Sequence, residues 1–327
     1  MDLDLGKILS FAFFDWFKQK EVLKFVGIAF VIYAILIIVT NFVIYSSISP
    51  LINNFSLNGF TNSFFYIIGY VIVMSIISFV IFSAINYMLI SKALEAKGRD
   101  YIDFDAKRWI NFVFLNIAEG LAALFSVYKL RWLLILIAAI ALFILGTIIL
   151  IAASAINTPI LVFAGVLMLL LGILLLFAYC FVIVYNCYRL IISSVIFVEG
   201  QESVLDALRL SWDKTHGSVL NVFVVMLILG VVVGIVSFVV AIPSSIYQGI
   251  GTMSGVANPS EMFNTLVDPV AIVLSMPTYL VASVMFAVQA FALVGVYDAL
   301  DGKKPVVKEK TKTVARKKAS KSVRRKK

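Results

Sequence analysis

The chain has 327 residues, 62% of them apolar and only 14% charged, with a formal net charge of +9. A soluble domain usually carries about 25% charged residues, and its core does not call for repeated uninterrupted apolar runs of about 20 residues. The composition therefore excludes an ordinary soluble protein, and the single histidine excludes a histidine-based metal site.

The chain opens with LDLGKILSFAFFDWFKQK at 3–20, where Leu5, Ile8, Leu9, Ala12, Phe13 and Trp16 share one face at helical spacing. Such a helix can lie in the membrane plane with its charged face in water. Asp2, Asp4 and Lys7 precede the first long apolar run without a small-residue cleavage site, so targeting is expected from the first spanning helix itself. Spans are predicted near 25–46 and 64–90, joined by an outer segment at 47–63. That segment holds Asn54–Phe55–Ser56, a glycosylation acceptor in a host that modifies secreted proteins.

A second amphipathic stretch begins at DFDAKRWINFVF, 103–114, and runs into the apolar segment 109–128. If 109–128 crossed the bilayer, it would bury Glu119 and move every later basic block to the opposite side. A charge near a helix centre costs about 2.5–3.5 kcal/mol on insertion scales. The segment is therefore expected to be interfacial or re-entrant. Spans follow near 132–154 and 159–188, with Cys180 and Cys187 read as packing residues on one helix face. The third amphipathic stretch is ESVLDALRLSWDKTHG at 202–217, followed by spans near 218–242 and 271–297. Gly230, Gly234 and Ser237 are small enough for close helix approach. Pro159, Pro243, Pro269 and Pro277 stand at or near span ends, and Pro277 is the one expected to kink its helix. The outer segments 155–158 and 243–270 carry only Glu261 and Asp268 as charges.

All 27 Lys and Arg residues fall in 7–24, 92–131, 189–214 and 303–327. With six spans these blocks share one side, which the positive-inside rule assigns to the cytoplasm. Trp16, Trp109, Trp132 and Trp212 fall at the same predicted interfaces, where an indole favours the headgroup level. The expected fold class is thus all-α: a multi-pass protein of the cell membrane, with six transmembrane helices, three cytoplasmic-side in-plane helices and both termini in the cytoplasm. Each unit reads as in-plane helix, span, outer loop, span, at about 3–91, 99–194 and 202–297. Three parallel repeats are expected, unlike the opposed halves of inverted-repeat transporters. Residues 1–300 form one membrane domain, and 301–327 a disordered basic tail.

The run from Glu199 to Gly217 resembles a cytoplasmic segment of a poorly characterised prokaryotic multispan membrane family. The resemblance rests on Glu199, Gly200, Ser203, Ala207, Leu208, Ser211, Trp212, Thr215 and Gly217, and is joined by GKILSFAFFDWFKQK at 6–20. That family includes the membrane domain attached to some glycerophosphodiester phosphodiesterases. Their catalytic barrel has no counterpart here, so the resemblance implies a fold and no catalytic residue.

The candidate polar cluster comprises Asn86, Tyr87, Tyr185, Asn186, Arg189 and Tyr297. Arg189 reads either as a phosphate or headgroup ligand or as a snorkelling anchor, the latter favoured by its long stem at a span end. Asn86 and Asn186 are expected to bond between helices. The acids Asp100, Asp103, Asp105, Glu202, Asp206 and Asp213 alternate with Lys107, Arg108, Arg209 and Lys214, as on a solvated face. No phosphate-loop, dinucleotide or HExxH motif occurs, so no catalytic residue, cofactor or metal is assigned. Residues 303–327 hold 13 basic residues, one acid and no aromatic. Membrane lipids, above all anionic headgroups, are the expected partners of this tail, ahead of ribosome or nucleic-acid contact; a protein partner is also expected. The favoured function is a non-enzymatic scaffold, partner subunit or lipid-interacting protein. The alternatives are a transporter or channel for a small or amphipathic solute, and a ribosome-associated insertion helper.

Overall fold

The computed structural model describes residues 4–53, 56–156, 158–200, 202–255, 264 and 267–302. Asn54, Glu261 and the basic segment 303–327 lie outside the described residues.

Hydrocarbon offers backbone groups no hydrogen-bond partner, so long apolar runs must satisfy them internally as helices. Among the described residues every regular element is helical. Helix α1 (Leu5–Ser10) passes through a wide turn at Phe11–Asp15 and a tight one at Trp16–Lys18 into α2 (Lys20–Asn53). Helix α3 (Leu57–Ala96) returns beside it. Next come α4 (Ala106–Leu124), a tight turn at Val127–Trp132, and the hairpin of α5 (Leu133–Ile156) and α6 (Pro159–Leu190). Two short helices, α7 (Ser193–Glu199) and α8 (Val204–Lys214), lead to α9 (Val219–Gly255) and α10 (Pro269–Asp301).

Local chemistry sets many of these ends. The side chains of Asp4, Ser56, Asp105, Ser203 and Asp268 each accept from a backbone N–H in the first turn of α1, α3, α4, α8 and α10. Pro159 and Pro269 occupy first turns, where a missing N–H costs nothing. Gly302 closes α10 with φ +61° and Gly98 follows α3 with φ +67°, a left-handed conformation that favours glycine.

Among the described residues six helical stretches are long and apolar enough to cross a membrane, as expected: α2, α3, α5 with α4 ahead of it, α6, α9 and α10. The chain is a multi-pass helical membrane protein. The helices outrun the predicted spans, however. The 40 residues of α3 extend about 60 Å, twice the roughly 30 Å of a hydrocarbon core. The outer segment 47–63 is accordingly mostly helix, and Pro243 lies inside α9 rather than at its end. Pro277 lies within α10, which remains one helix across it.

The hydrophobic core gathers at one end of the spans. In α3, Phe64, Phe65, Ile72 and Ile76 are exposed, whereas Tyr87, Leu89, Ile90, Ala93 and Leu94 are fully buried. In α10 the buried run is 290–297, with Val270 and Val273 exposed at the far end. The wrapping at the core end comes from α1, α4, α7 and α8. Helix α4 buries Phe112, Leu115, Ala122 and Ala123 and exposes Ile110, Phe114, Ile117 and Leu121. Trp16 is 2% exposed, so it is a core residue and not a headgroup anchor. Cys180 and Cys187 are exposed rather than packed.

Close helix approach occurs where the glycines of α5 and α6 meet. A methyl group added at Gly146 would lie 3.0 Å from the Gly165 carbonyl oxygen, and one at Gly172 would lie 3.2 Å from that of Ala139. Gly230 and Gly234, expected to serve this role, face open space. Replacing Gly146 by Leu is therefore expected to destabilise the protein by about 1–3 kcal/mol through overpacking, whereas Gly230→Leu leaves stability essentially unchanged. Thermal unfolding of the two variants in detergent measures the difference.

Candidate functional site

The polar side chains at the core end form three fastenings. The first centres on Arg99, in the link between α3 and α4. Its Nε donates to Asp298 Oδ1 at 2.9 Å, and its Nη1 donates to Glu199 Oε1 at 2.7 Å and Asp301 Oδ2 at 3.3 Å. Lys97 reaches Asp298 at 3.5 Å, and Lys214 pairs with Asp301. The Tyr297 hydroxyl donates to Glu199, and its ring lies 4.8 Å from the Arg99 guanidinium carbon. Three cations and three carboxylates thus balance, with Arg99 only 5% and Asp301 only 6% exposed at their side chains. Burial works against the charge of Arg99, but the bonds to Glu199 and Asp298 hold its pKa above the ordinary arginine value.

The second fastening joins α6 to α8. Arg189 donates from Nε to the Trp212 carbonyl at 3.1 Å, again to that carbonyl from Nη2, and from Nη1 to the Tyr185 hydroxyl at 3.0 Å. The Trp212 ring lies 4.2 Å from the guanidinium carbon, within cation–π range. In return the Arg189 carbonyl accepts from Ser211 Oγ at 3.0 Å and Thr215 Oγ1 at 2.9 Å. Arg189 is 2% exposed, so it neither snorkels to water nor offers a free headgroup site.

The third joins α4 to α6 and α7. Asn186 Nδ2 donates to the Ala123 carbonyl at 3.0 Å and to Ser126 Oγ at 2.9 Å. Tyr179 donates to the Leu124 carbonyl at 2.6 Å. Both hold the break after α4, where Ser126 adopts φ +50°. Ser193 Oγ donates to Glu119 at 2.7 Å, so Glu119 meets protein rather than lipid. Arg108 donates to the carbonyls of Phe197 and Gly200 at the end of α7, where a cation complements the exposed carbonyls of the helix terminus.

The candidate set therefore does not converge. Tyr185 and Arg189 meet directly and Asn186 bonds between helices as expected, but Tyr297 belongs to the Arg99 cluster and Tyr87 donates to the Ile102 carbonyl at 2.9 Å. Asn86 is half-buried and joins none of these bonds. Arg108 and Lys214, read as part of a solvated face, are drawn into the fastenings. Among the described residues no group of three or more His, Cys, Asp or Glu is arranged to hold a metal.

Arg99 was not singled out in the sequence as the partner of Glu199, Asp298 and Asp301, although a signal was there. Lys97–Gly98, Glu199–Gly200 and Asp301–Gly302 recur at equal intervals of 102 residues. Glu199 and Asp301 meet on Arg99, and Lys97 bonds Asp298, which shares it. The motif from Glu199 to Gly217 is largely consumed by the same contacts. Glu199 and Gly200 accept from Arg99 and Arg108, Ser203 caps α8, and Ala207 and Leu208 are buried. Ser211, Trp212 and Thr215 grip Arg189, and Gly217 turns the chain with φ +84°.

No family model matches the chain, and neither a curated protein nor a solved structure matches it.

Removing one partner from a buried ionic cluster strands the others. Arg99→Leu is expected to cost about 3–5 kcal/mol, against no more than about 1 kcal/mol for Lys18→Ala, whose pair with Asp15 is exposed. Arg189→Lys keeps the charge but loses the planar fork, and is expected to cost about 1.5–3 kcal/mol. Denaturant unfolding in detergent ranks the three; equal midpoints for Arg99→Leu and Lys18→Ala would contradict this account.

Proposed function

We propose that the chain is a non-enzymatic integral membrane protein, a scaffold or partner subunit that interacts with lipid, seated in the cell membrane with both termini in the cytoplasm. The observation that carries this reading is the neutral cluster around Arg99, which ties the α3–α4 link, α7, α8 and α10 into one block. The polar groups at the core end, Arg99, Asn186 and Arg189 among them, are engaged between helices. Bonding of this kind favours a rigid platform over a moving gate.

The recurrence of an ionic residue before glycine supports three parallel repeats, with α1, the α4 segment and α8 as their in-plane helices. The basic blocks support the cytoplasmic placement of the core end. The tail from 303 to 327 supports contact with anionic headgroups, to which each basic residue contributes about 1 kcal/mol near the surface.

Purified protein in proteoliposomes is expected to pass neither solutes nor lipids faster than protein-free vesicles, while cross-linking in native membranes captures a held partner. Reproducible flux across a panel of small and amphipathic solutes would overturn the scaffold reading in favour of a transporter. For orientation, a cysteine at Ser56 should react with an impermeant maleimide from outside intact cells, and one at Lys214 only after the cells are opened.

A further inference from the structure

A groove of about 590 Å³ lies between α2 and α3, with Phe286 of α10 contributing to its wall. Its volume falls within the roughly 300–1,000 Å³ of small-molecule sites. Phe82 and Phe286 stack with ring centroids 4.9 Å apart, and the Tyr33 ring meets Phe82 edge-on at 6.1 Å. These aromatics lie at the end of the groove nearer the core. From there the lining climbs α2 to Thr40 and Asn41 and α3 to Ser75 and Val71, away from the Arg99 cluster. The eleven steps from Phe82 to Val71 rise about 16 Å, close to half of a hydrocarbon core of about 30 Å. The groove is thus about as long as one leaflet is thick, and it straddles the middle of the predicted spans 25–46 and 64–90.

Its polar groups are unequal. Thr40 Oγ1 donates to the Leu36 carbonyl and Ser78 Oγ to the Met74 carbonyl, both at 2.7 Å, so these hydroxyls are satisfied by their own helices. Asn41 is half-buried, and among the described residues its carboxamide has no hydrogen-bond partner. A carboxamide carries two N–H donors and an acceptor, and leaving it unmatched in hydrocarbon is unfavourable. An ion or a sugar entering here would exchange its hydration for one amide, the hydroxyls of Tyr33 and Ser75, and otherwise apolar walls. A long apolar chain ending in a carbonyl matches both parts.

We propose that this groove binds a single acyl chain entering from the side remote from the Arg99 cluster, with the ester or carboxyl oxygen accepting from Asn41 Nδ2 and the tail running across the middle of the spans to the Phe82–Phe286 floor. This deepens the lipid-interacting part of the proposed function and rests on it. A phospholipid and a free fatty acid share the required chemistry.

The test uses full-length protein reconstituted in phosphatidylethanolamine–phosphatidylglycerol vesicles. One arm carries a phospholipid with a diazirine midway along one chain, and the other carries the free fatty acid with the same group. After irradiation, adducts are mapped by peptide mass spectrometry. Adducts should concentrate at 33–41 and 71–82, enriched about tenfold over the lipid-facing stretch 140–151 of α5, an excess equivalent to about 1.4 kcal/mol. The arm with the greater enrichment identifies the source. Ser75→Trp, which fills the groove, should remove most of that enrichment. Asn41→Leu, close in size to the original, should lower it about three- to tenfold by removing one hydrogen bond, and it serves where the tryptophan disturbs folding. Adducts spread over all exposed helices, or enrichment unchanged in both variants, would overturn the proposal. Flux measured on the same vesicles separates the two readings: even labelling without flux removes the groove and leaves the scaffold, while groove labelling with flux does the reverse.

Discussion

A guanidinium removed from water must find opposite charge or well-placed acceptors close by, and Arg99 finds opposite charge in residues 100 to 202 positions further along the chain. The rest of the arrangement depends on that demand. Lipid tails are as apolar as leucine, so the hydrophobic effect that gathers a soluble core gives membrane helices little reason to associate. Here the ends of the helices are joined by charge and hydrogen bonds instead. The desolvation penalty of such a cluster can match its Coulomb gain. Its contribution is then chiefly to specify which ends meet, since any other pairing of these helices leaves a buried charge without its counterpart.

The architecture is accordingly stratified. Near the Arg99 cluster, Phe112, Phe197, Leu94 and Phe291 are as fully buried as the residues of a soluble core. Away from it, the helices carry exposed Phe, Ile and Val that suit lipid contact. The α5–α6 hairpin illustrates the division. It is held within itself by the close approach of Gly146, Gly165 and Gly172, and to the body of the protein chiefly through the core-end segment of α6 that carries Asn186 and Arg189.

The six spans were legible in the sequence because hydrocarbon imposes a length and an apolarity that few other environments require. The helix ends were not. Hydropathy reports where lipid touches the chain, whereas α3 and α9 continue as helix beyond that contact. Arg189 was misread for a related reason. A long basic stem at a span end is what snorkelling requires, but its partner is the backbone carbonyl of Trp212, which neither composition nor spacing encodes. Asn186 was anticipated as an interhelical donor, and its apparent equivalent Asn86 makes no such bond, because only Asn186 faces the broken end of α4. Gly230 and Gly234 show the limit of small-residue patterns: they permit close approach, and no neighbour arrives.

The Arg99 cluster also bears on the order in which the chain is made. Until α10 emerges, Lys97, Arg99 and Lys214 face Glu199 alone among the members of the cluster, an excess of two positive charges. Positive charge resists translocation across the membrane, so in the proposed orientation, with the cluster on the cytoplasmic side, this excess would help hold the early connections there while the first spans insert. Asp298 and Asp301 arrive last and cancel it. Neutrality is reached only once α10 is in place, and a ribosome product that stops short of it carries two cations in excess as the mark of its incompleteness.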